Sequence, residues 1–336
     1  MEVAPNMEKQ TRPIASMSLD LDNKWSYMKT HGDAGWESFP SYLDIVVPRF
    51  LDVLDEMGLT ITVFVVGQDA ALERNHDALR MIADRGHEVA NHSFHHEPWL
   101  HLYSPDELDR EFELSEEAIE NATGKRTVGF RGPGFSLSDQ TLKVLVNRGY
   151  EYDCSTFPTF LGPVARAYYF MSTSLSKEER DDRKVLFGKL SDGFQSNNPY
   201  FWTGLGEDRL LEIPVTTFPV IKTPFHASYL LYLACYSELA AKTYLWSAVK
   251  ACKLMGVEMS MLLHPLDFMG ADDDTGLDFF PAMNLPSARK VDLMKTFLQT
   301  MNDNFDIVTM KNHAEHAANK QLADRSIRLA RSGLAN

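Results

Sequence analysis

Apolar positions along this chain follow two rhythms. Short unbroken runs at Ile14–Asp20, Thr60–Gly67, Thr127–Arg131, Tyr150–Ser155, Leu210–Pro214 and Val257–Leu263 predict strands. The run Thr-Ile-Thr-Val-Phe-Val-Val from Thr60 is β-branched apart from Phe64 and reads as a strand buried on both faces. Glu88–Asn91, after the helix stop at Gly86, predicts another short strand. Between the runs, apolar residues recur at helical spacing. Leu43, Val46, Val47, Phe50, Leu51 and Leu54 predict a helix over Tyr42–Met57 that ends at Gly58. A further helix runs to Arg85, one spans Ser104–Thr123 with Pro105 at its first position, and one spans Ser138–Arg148. Asn23–Pro40 is rich in aromatics without a period and reads as a loop. Towards the end, Lys290–Met301 predicts a closing helix, Phe305–Thr309 a last strand and Lys311–Asn336 a polar helical tail. Repeated strand–helix units argue for a parallel sheet or barrel, where functional residues collect at the C-terminal ends of the strands.

Several polar residues fall at those ends. His92 and His96 lie four apart just past Asn91; one helical turn, capped by Ser93, would set both imidazoles on one face for a single divalent ion. Asp20 and Asp22 close the first strand two residues apart and so project to one side, giving a third ligand and a spare carboxylate. The same pair also fits a strand end fraying into a polar turn. The aromatics of 23–40 fit either stacking on a sugar face or packing onto the barrel.

Composition narrows the function classes. The chain has 336 residues, 44% hydrophobic and 24% charged, with a net charge of −14, which disfavours nucleic acid or an anionic membrane as partner. Three widely spaced cysteines, Cys154, Cys235 and Cys252, form no disulfide framework and suit a reducing compartment. Met1–Ser16 holds no apolar signal core, and no window approaches the run of about 18 apolar residues of a membrane span. The expectation is a cytoplasmic protein without a transmembrane segment.

Asp20-x-Asp22, His92-Ser93-x-x-His96, Arg131-x-Pro133, Tyr152-Asp153-x-Ser155 and Leu262-Leu263-His264 occur in an order that resembles the polysaccharide deacetylases, the NodB-homology or carbohydrate esterase family 4 group. The resemblance implies an α/β fold, a distorted (β/α)7-type barrel, carried as one domain over 1–336 with a largely helical insert at about 157–256. It implies a metal-dependent hydrolase of a non-peptide C–N bond, removing an N-acetyl or other N-acyl group from a sugar. Asp22, His92 and His96 would bind one divalent ion, zinc first, with cobalt, nickel, manganese or iron as alternatives. Asp20 would be the general base and Arg131 its partner. His264 would be the general acid and Asp153 the carboxylate that orients it, with Leu262 against the acyl group. A backbone N–H for the oxyanion is expected from Gly134. The sequence departs from the common pattern in three places: Leu21 separates the aspartates, Gly134 precedes Phe135, and Pro265 follows His264. Asp267, two residues further on, reads as a turn cap, with a substitute for the usual carboxylate after that histidine as the alternative.

Phe157–Phe170 and Thr217–Gly256 are rich in leucine and aromatics and predict a helix pair packed on the barrel. A lid for a lipid- or nucleotide-linked sugar, or a homo-oligomer contact, would carry the same pattern. The substrate expected is an acylated sugar on the way to a surface polysaccharide or glycolipid. A cyclic amide or ureide hydrolase, or a non-catalytic carbohydrate-binding barrel, are the competing readings. His87, His95 and His101 are read as structural, Asp272–Asp274 as a solvated loop and Cys154 as a small buried residue.

Overall fold

The computed structural model describes residues 12–162, 190–273 and 275–327. Its strands are β1 (Ile14–Asp20), β2 (Thr62–Val65), β3 (Glu88–Asn91), β4 (Gly129–Phe130), β5 (Tyr152–Asp153), β6 (Tyr200–Leu205), β7 (Asp208–Glu212), β8 (Met259–Leu263), β9 (Asp306–Val308) and β10 (Ala323–Ser326). β8, β1, β2, β3, β4, β5 and β7 lie side by side, each pair parallel. The two ends of this row meet just past β7, where Thr216 N donates to Ser260 O at 3.0 Å and Thr216 Oγ1 accepts from Ser260 N at 2.8 Å. The expected distorted barrel of seven strands is therefore the observed architecture. β6 pairs antiparallel with β7, β10 extends the sheet from β6, and β9 pairs with β1.

Burial follows the apolar runs. Every residue of β2 and β8 is buried, as is β1 beyond its first residue, because helices cover one side and the barrel interior fills the other. Leu43–Met57 buries Val46, Val47, Phe50, Leu51 and Leu54 and ends at Gly58, whose φ of +64° is the left-handed cap that glycine allows. Pro105–Thr123 starts with a capping box in which Ser104 and Glu107 satisfy each other's backbone N–H. Gly129 in β4 admits no side chain, since a Cβ there would lie 1.9 Å from the Tyr152 ring, whose hydroxyl donates to Glu88 Oε1 at 2.6 Å.

Four expectations need correction. Asn23–Pro40 is not a loop throughout: Lys24–His31 is a helix, started by Asn23, whose side chain accepts from Lys24 N, and stopped by left-handed Gly32. It buries only Trp25 and Ser26, so it shows no apolar stripe. The strands at Thr127–Arg131 and Tyr150–Ser155 shrink to two paired residues each, although Arg131 N, Glu151 N and Cys154 N still donate to the neighbouring strands. The polar tail is helical only over Met310–Ala318 and then forms β10, with 328–336 outside the described residues. Within 157–256 the predicted helix pair is present as Ala227–Ala234 and Glu238–Met255, but beside the expected strand at β7 the same span also supplies β6 to the sheet. Residues 163–189 of that stretch, Met1–Thr11 and Asp274 lie outside the described residues.

Candidate metal and hydrolytic site

β1, β3, β4 and β8 deliver the candidate side chains to one end of the barrel. After β3 the chain does not enter a helical turn. Ser93 and His96 adopt left-handed backbone, with φ of +62° and +53°. Side chains hold this bend: Asn91 Oδ1 accepts from Ser93 N at 2.8 Å, and Ser93 Oγ accepts from His96 N at 3.2 Å. Buried Glu111 accepts from Phe94 N, His95 N and His95 Nδ1, at 2.9, 2.7 and 2.6 Å. With those N–H groups already taken, a helix has nothing to gain there. His95 is thus a scaffold residue, as expected. So are His87, which accepts from Ile61 N, and His101, bonded to Ser136 Oγ.

The bend brings His92 and His96 together with Asp22. Asp22 Oδ1 lies 3.0 Å from His96 Nε2 and 3.4 Å from His92 Nε2, and one donor atom from each residue falls within 4.8 Å of the others. Burial alone would raise the Asp22 carboxyl, but the two imidazoles hold it well below the usual range. His92 is itself pushed up by Asp20 and Asp22 against its burial. His92 Nδ1 donates to Arg131 O at 2.7 Å, which leaves Nε2 as the nitrogen available to an ion. Two imidazoles and one carboxylate suit a borderline divalent cation such as zinc, and three protein ligands leave positions open. The buried Nδ1 of His96 has no partner among the described residues.

Asp22 is held from behind. Tyr42 Oη donates to Asp22 O at 2.6 Å, while Asn23 Nδ2 and Trp25 Nε1 donate to Asp69 Oδ1 at 2.6 and 2.9 Å. Asp69 is raised to about 7, chiefly by burial, though both donors oppose it. Only the fold reveals this residue, because it lies 47 positions from Asp22 in an otherwise ordinary helical segment.

Asp20 stands beside the cluster. Its Oδ1 accepts from Arg131 Nη1 at 2.6 Å, and its Oδ2 lies 4.0 Å from His92 Nε2. Arg131 is fully buried. It also donates to Ser18 Oγ and Cys154 O, and its guanidinium sits 4.3 Å from the Phe64 ring centre. The expected Arg131–Asp20 pair is present.

His264 leaves β8 into a 3-10 turn over Pro265–Asp267. Its Nδ1 lies 3.1 Å from Ser228 Oγ, which donates to Asp267 Oδ1 at 2.8 Å, and Asp267 Oδ2 accepts from His264 N at 2.8 Å. Asp153 is bonded elsewhere, to Ser155 Oγ at 2.6 Å and, as a buried carboxyl pair, to Glu212. Burial raises both members of that pair, and Glu212 also accepts from Thr156 N and Trp202 Nε1. Among the described residues, Asp267 rather than Asp153 touches His264.

Leu262 is buried in β8 opposite Ser18. Gly134 takes a left-handed backbone (φ +58°) after Pro133. Phe135 then stacks on Phe157 at 4.9 Å, Phe157 reaches His226 at 5.9 Å, and His226 reaches His264 at 5.7 Å. This aromatic row joins the arginine loop to His264; neither Phe157 nor His226 belongs to a recognisable motif. The acids of 272–273 are committed to structure, Asp273 to Arg49 and Asp272 to Ser287.

Residues 33–152 match the family model for polysaccharide deacetylase, a span that includes His92, His96 and Arg131. A peptidoglycan deacetylase from Helicobacter pylori is 31% identical over 42% of this chain and 49% of its own. A peptidoglycan deacetylase-like protein from Gibberella zeae is 28% identical over 50% of this chain and 49% of its own. The chain thus spans about half the length of the curated relatives it matches. Among solved structures, a protein named putative polysaccharide deacetylase from Mycobacterium smegmatis superposes with a TM-score of 0.61 at 20% identity, covering 96% of this chain and 98% of that one. The allantoinase PuuE superposes at 0.57 and 15% identity, covering 92% and 91%. These two likenesses bear on the fold alone. Over residues 33–152, and in the motifs arranged as above, the chain is similar to the polysaccharide deacetylases of NodB-homology type.

Proposed function

We propose that this protein is a metal-dependent deacetylase that hydrolyses the N-acyl amide of an amino sugar. The observation that carries the reading is the convergence of Asp22, His92 and His96 within 4.8 Å, with a separate buried Asp20–Arg131 pair beside them. A zinc or similar ion held by those three residues would supply Lewis acidity toward a water molecule and the amide carbonyl. Asp20 is the general base: Arg131 pairs with it and orients it, and its second oxygen stays free of that pair. The backbone N–H at Gly134 is our candidate second donor for the oxyanion. An amine leaves poorly unless protonated, and His264 is our candidate for that proton donor. Leu262 lines the acyl side of the cleft in this reading.

The names of the curated relatives support an N-acetylated amino sugar as the substrate class. Within that class we favour a precursor of a surface polysaccharide or glycolipid, handled in the cytoplasm by one domain spanning 1–336. The described residues contain no helix long and apolar enough to cross a membrane. The test is acetate release by the zinc-loaded protein from N-acetylglucosamine oligomers, peptidoglycan fragments and nucleotide-linked N-acetyl sugars, with allantoin as comparison. Release of acetate from any of the sugars, absent after chelation, is the predicted result. Turnover of allantoin with none of the sugars would replace this reading by cyclic-ureide hydrolysis.

A further inference from the structure

We propose that Ser228 and Asp267 form the relay that orients His264 and fixes its tautomer, the place that Asp153 was expected to fill. The inference rests on the reading of His264 as proton donor, but its geometry does not depend on the substrate. Asp267 is almost fully buried and has two oxygens in use: Oδ2 accepts from His264 N at 2.8 Å, Oδ1 from Ser228 Oγ at 2.8 Å. A serine hydroxyl carries one hydrogen. Having given it to Asp267, Ser228 can only accept from His264 Nδ1, 3.1 Å away. His264 therefore carries its fixed hydrogen on Nδ1, and Nε2 is the atom that takes up and releases the catalytic proton.

The turn that bears this relay is itself anchored. Lys290 is completely buried and donates from Nζ to Leu266 O at 2.6 Å, within the segment between His264 and Asp267. Burial lowers the Lys290 amine to about 8, while Asp267 opposes that shift. The other groups facing His264 are His226, at 5.7 Å between ring centres, and through it Arg131; burial, His264 and Arg131 together keep His226 well below the usual histidine range. Neither can supply negative charge. Asp153 is occupied by Ser155 and Glu212. Ser228 is the second residue of the helix Ala227–Ala234, so the helical stretch contributes a positioning residue to the site.

The experiment follows the His264 imidazole by nuclear magnetic resonance in the zinc-loaded, nitrogen-15-labelled protein, with the signal assigned through His264→Gln. Asp267→Asn, whose amide can donate to Ser228 Oγ, is expected to weaken the preference for the Nδ1–H tautomer. Ser228→Ala, a change small enough to leave the fold intact, is expected to abolish that preference and to lower kcat by about tenfold with little change in KM. Asp153→Asn should leave the tautomer where it is. An unchanged tautomer in both Asp267→Asn and Ser228→Ala would overturn the relay, as would a larger change in Asp153→Asn. Because the tautomer is read without substrate, a parent protein that deacetylates nothing would sink the proposed activity while a changed tautomer still supported the relay.

Discussion

Asp20→Asn is expected to keep its metal and lose about 10²- to 10⁴-fold in kcat, the usual worth of a general base. The two aspartates are divided by their partners. Asp22 lies against both imidazoles, at 3.0 and 3.4 Å, whereas Asp20 is 4.0 Å from His92 and bonded to Arg131 at 2.6 Å. An asparagine in place of Asp20 can still accept from Arg131 but cannot take a proton from water. Metal content and kcat measured on the same preparation separate the roles. A variant that loses its metal together with its activity would make Asp20 a ligand and reverse the assignment.

Arg131→Met should be the most destabilising change at the site, at about 3–5 kcal/mol, because it leaves Asp20 as a buried charge without its partner. Methionine fills much of the lost volume against Phe64, so packing contributes the smaller part. The bonds to Ser18 and Cys154 O go as well. Urea unfolding of the parent, Arg131→Met and the double variant with Asp20→Asn measures the coupling. The double variant should recover part of the loss, since its neutral amide tolerates the dry site. A single variant within about 1 kcal/mol of the parent would mean that the pair is dispensable to the fold.

Much of this architecture is legible in the chain itself, for identifiable reasons. β1 and β3 lie where the apolar runs and the Gly86 stop place them, because strands buried on both faces tolerate little else. The candidate ligands are readable because the motifs place Asp22, His92 and His96 at strand ends. The geometry joining them is not readable: a spacing of four suggested a helical turn, and the actual bend depends on Asn91 and on Glu111, which is 15 residues beyond His96. The helix at Lys24–His31 escaped notice because it buries one tryptophan and one serine rather than a stripe. β6 and β10 escaped because edge pairing follows from neighbours in space. The same limit hid the support around His264. Ser228 is 36 residues from it in sequence, and Asp267 looked like a turn cap, which it also is. A carboxylate that caps its own turn and reaches a neighbouring helix performs two tasks, and sequence displays only the local one.

The central claim is that Asp22, His92 and His96 hold one divalent ion. Elemental analysis of protein purified without chelators, repeated on Asp22→Ala and His92→Ala, tests it most directly. The account predicts about one ion per chain in the parent, as three protein ligands at one site require, and essentially none in either variant. A parent that takes up no zinc or cobalt even when supplied, or variants that bind as much as the parent, would contradict it.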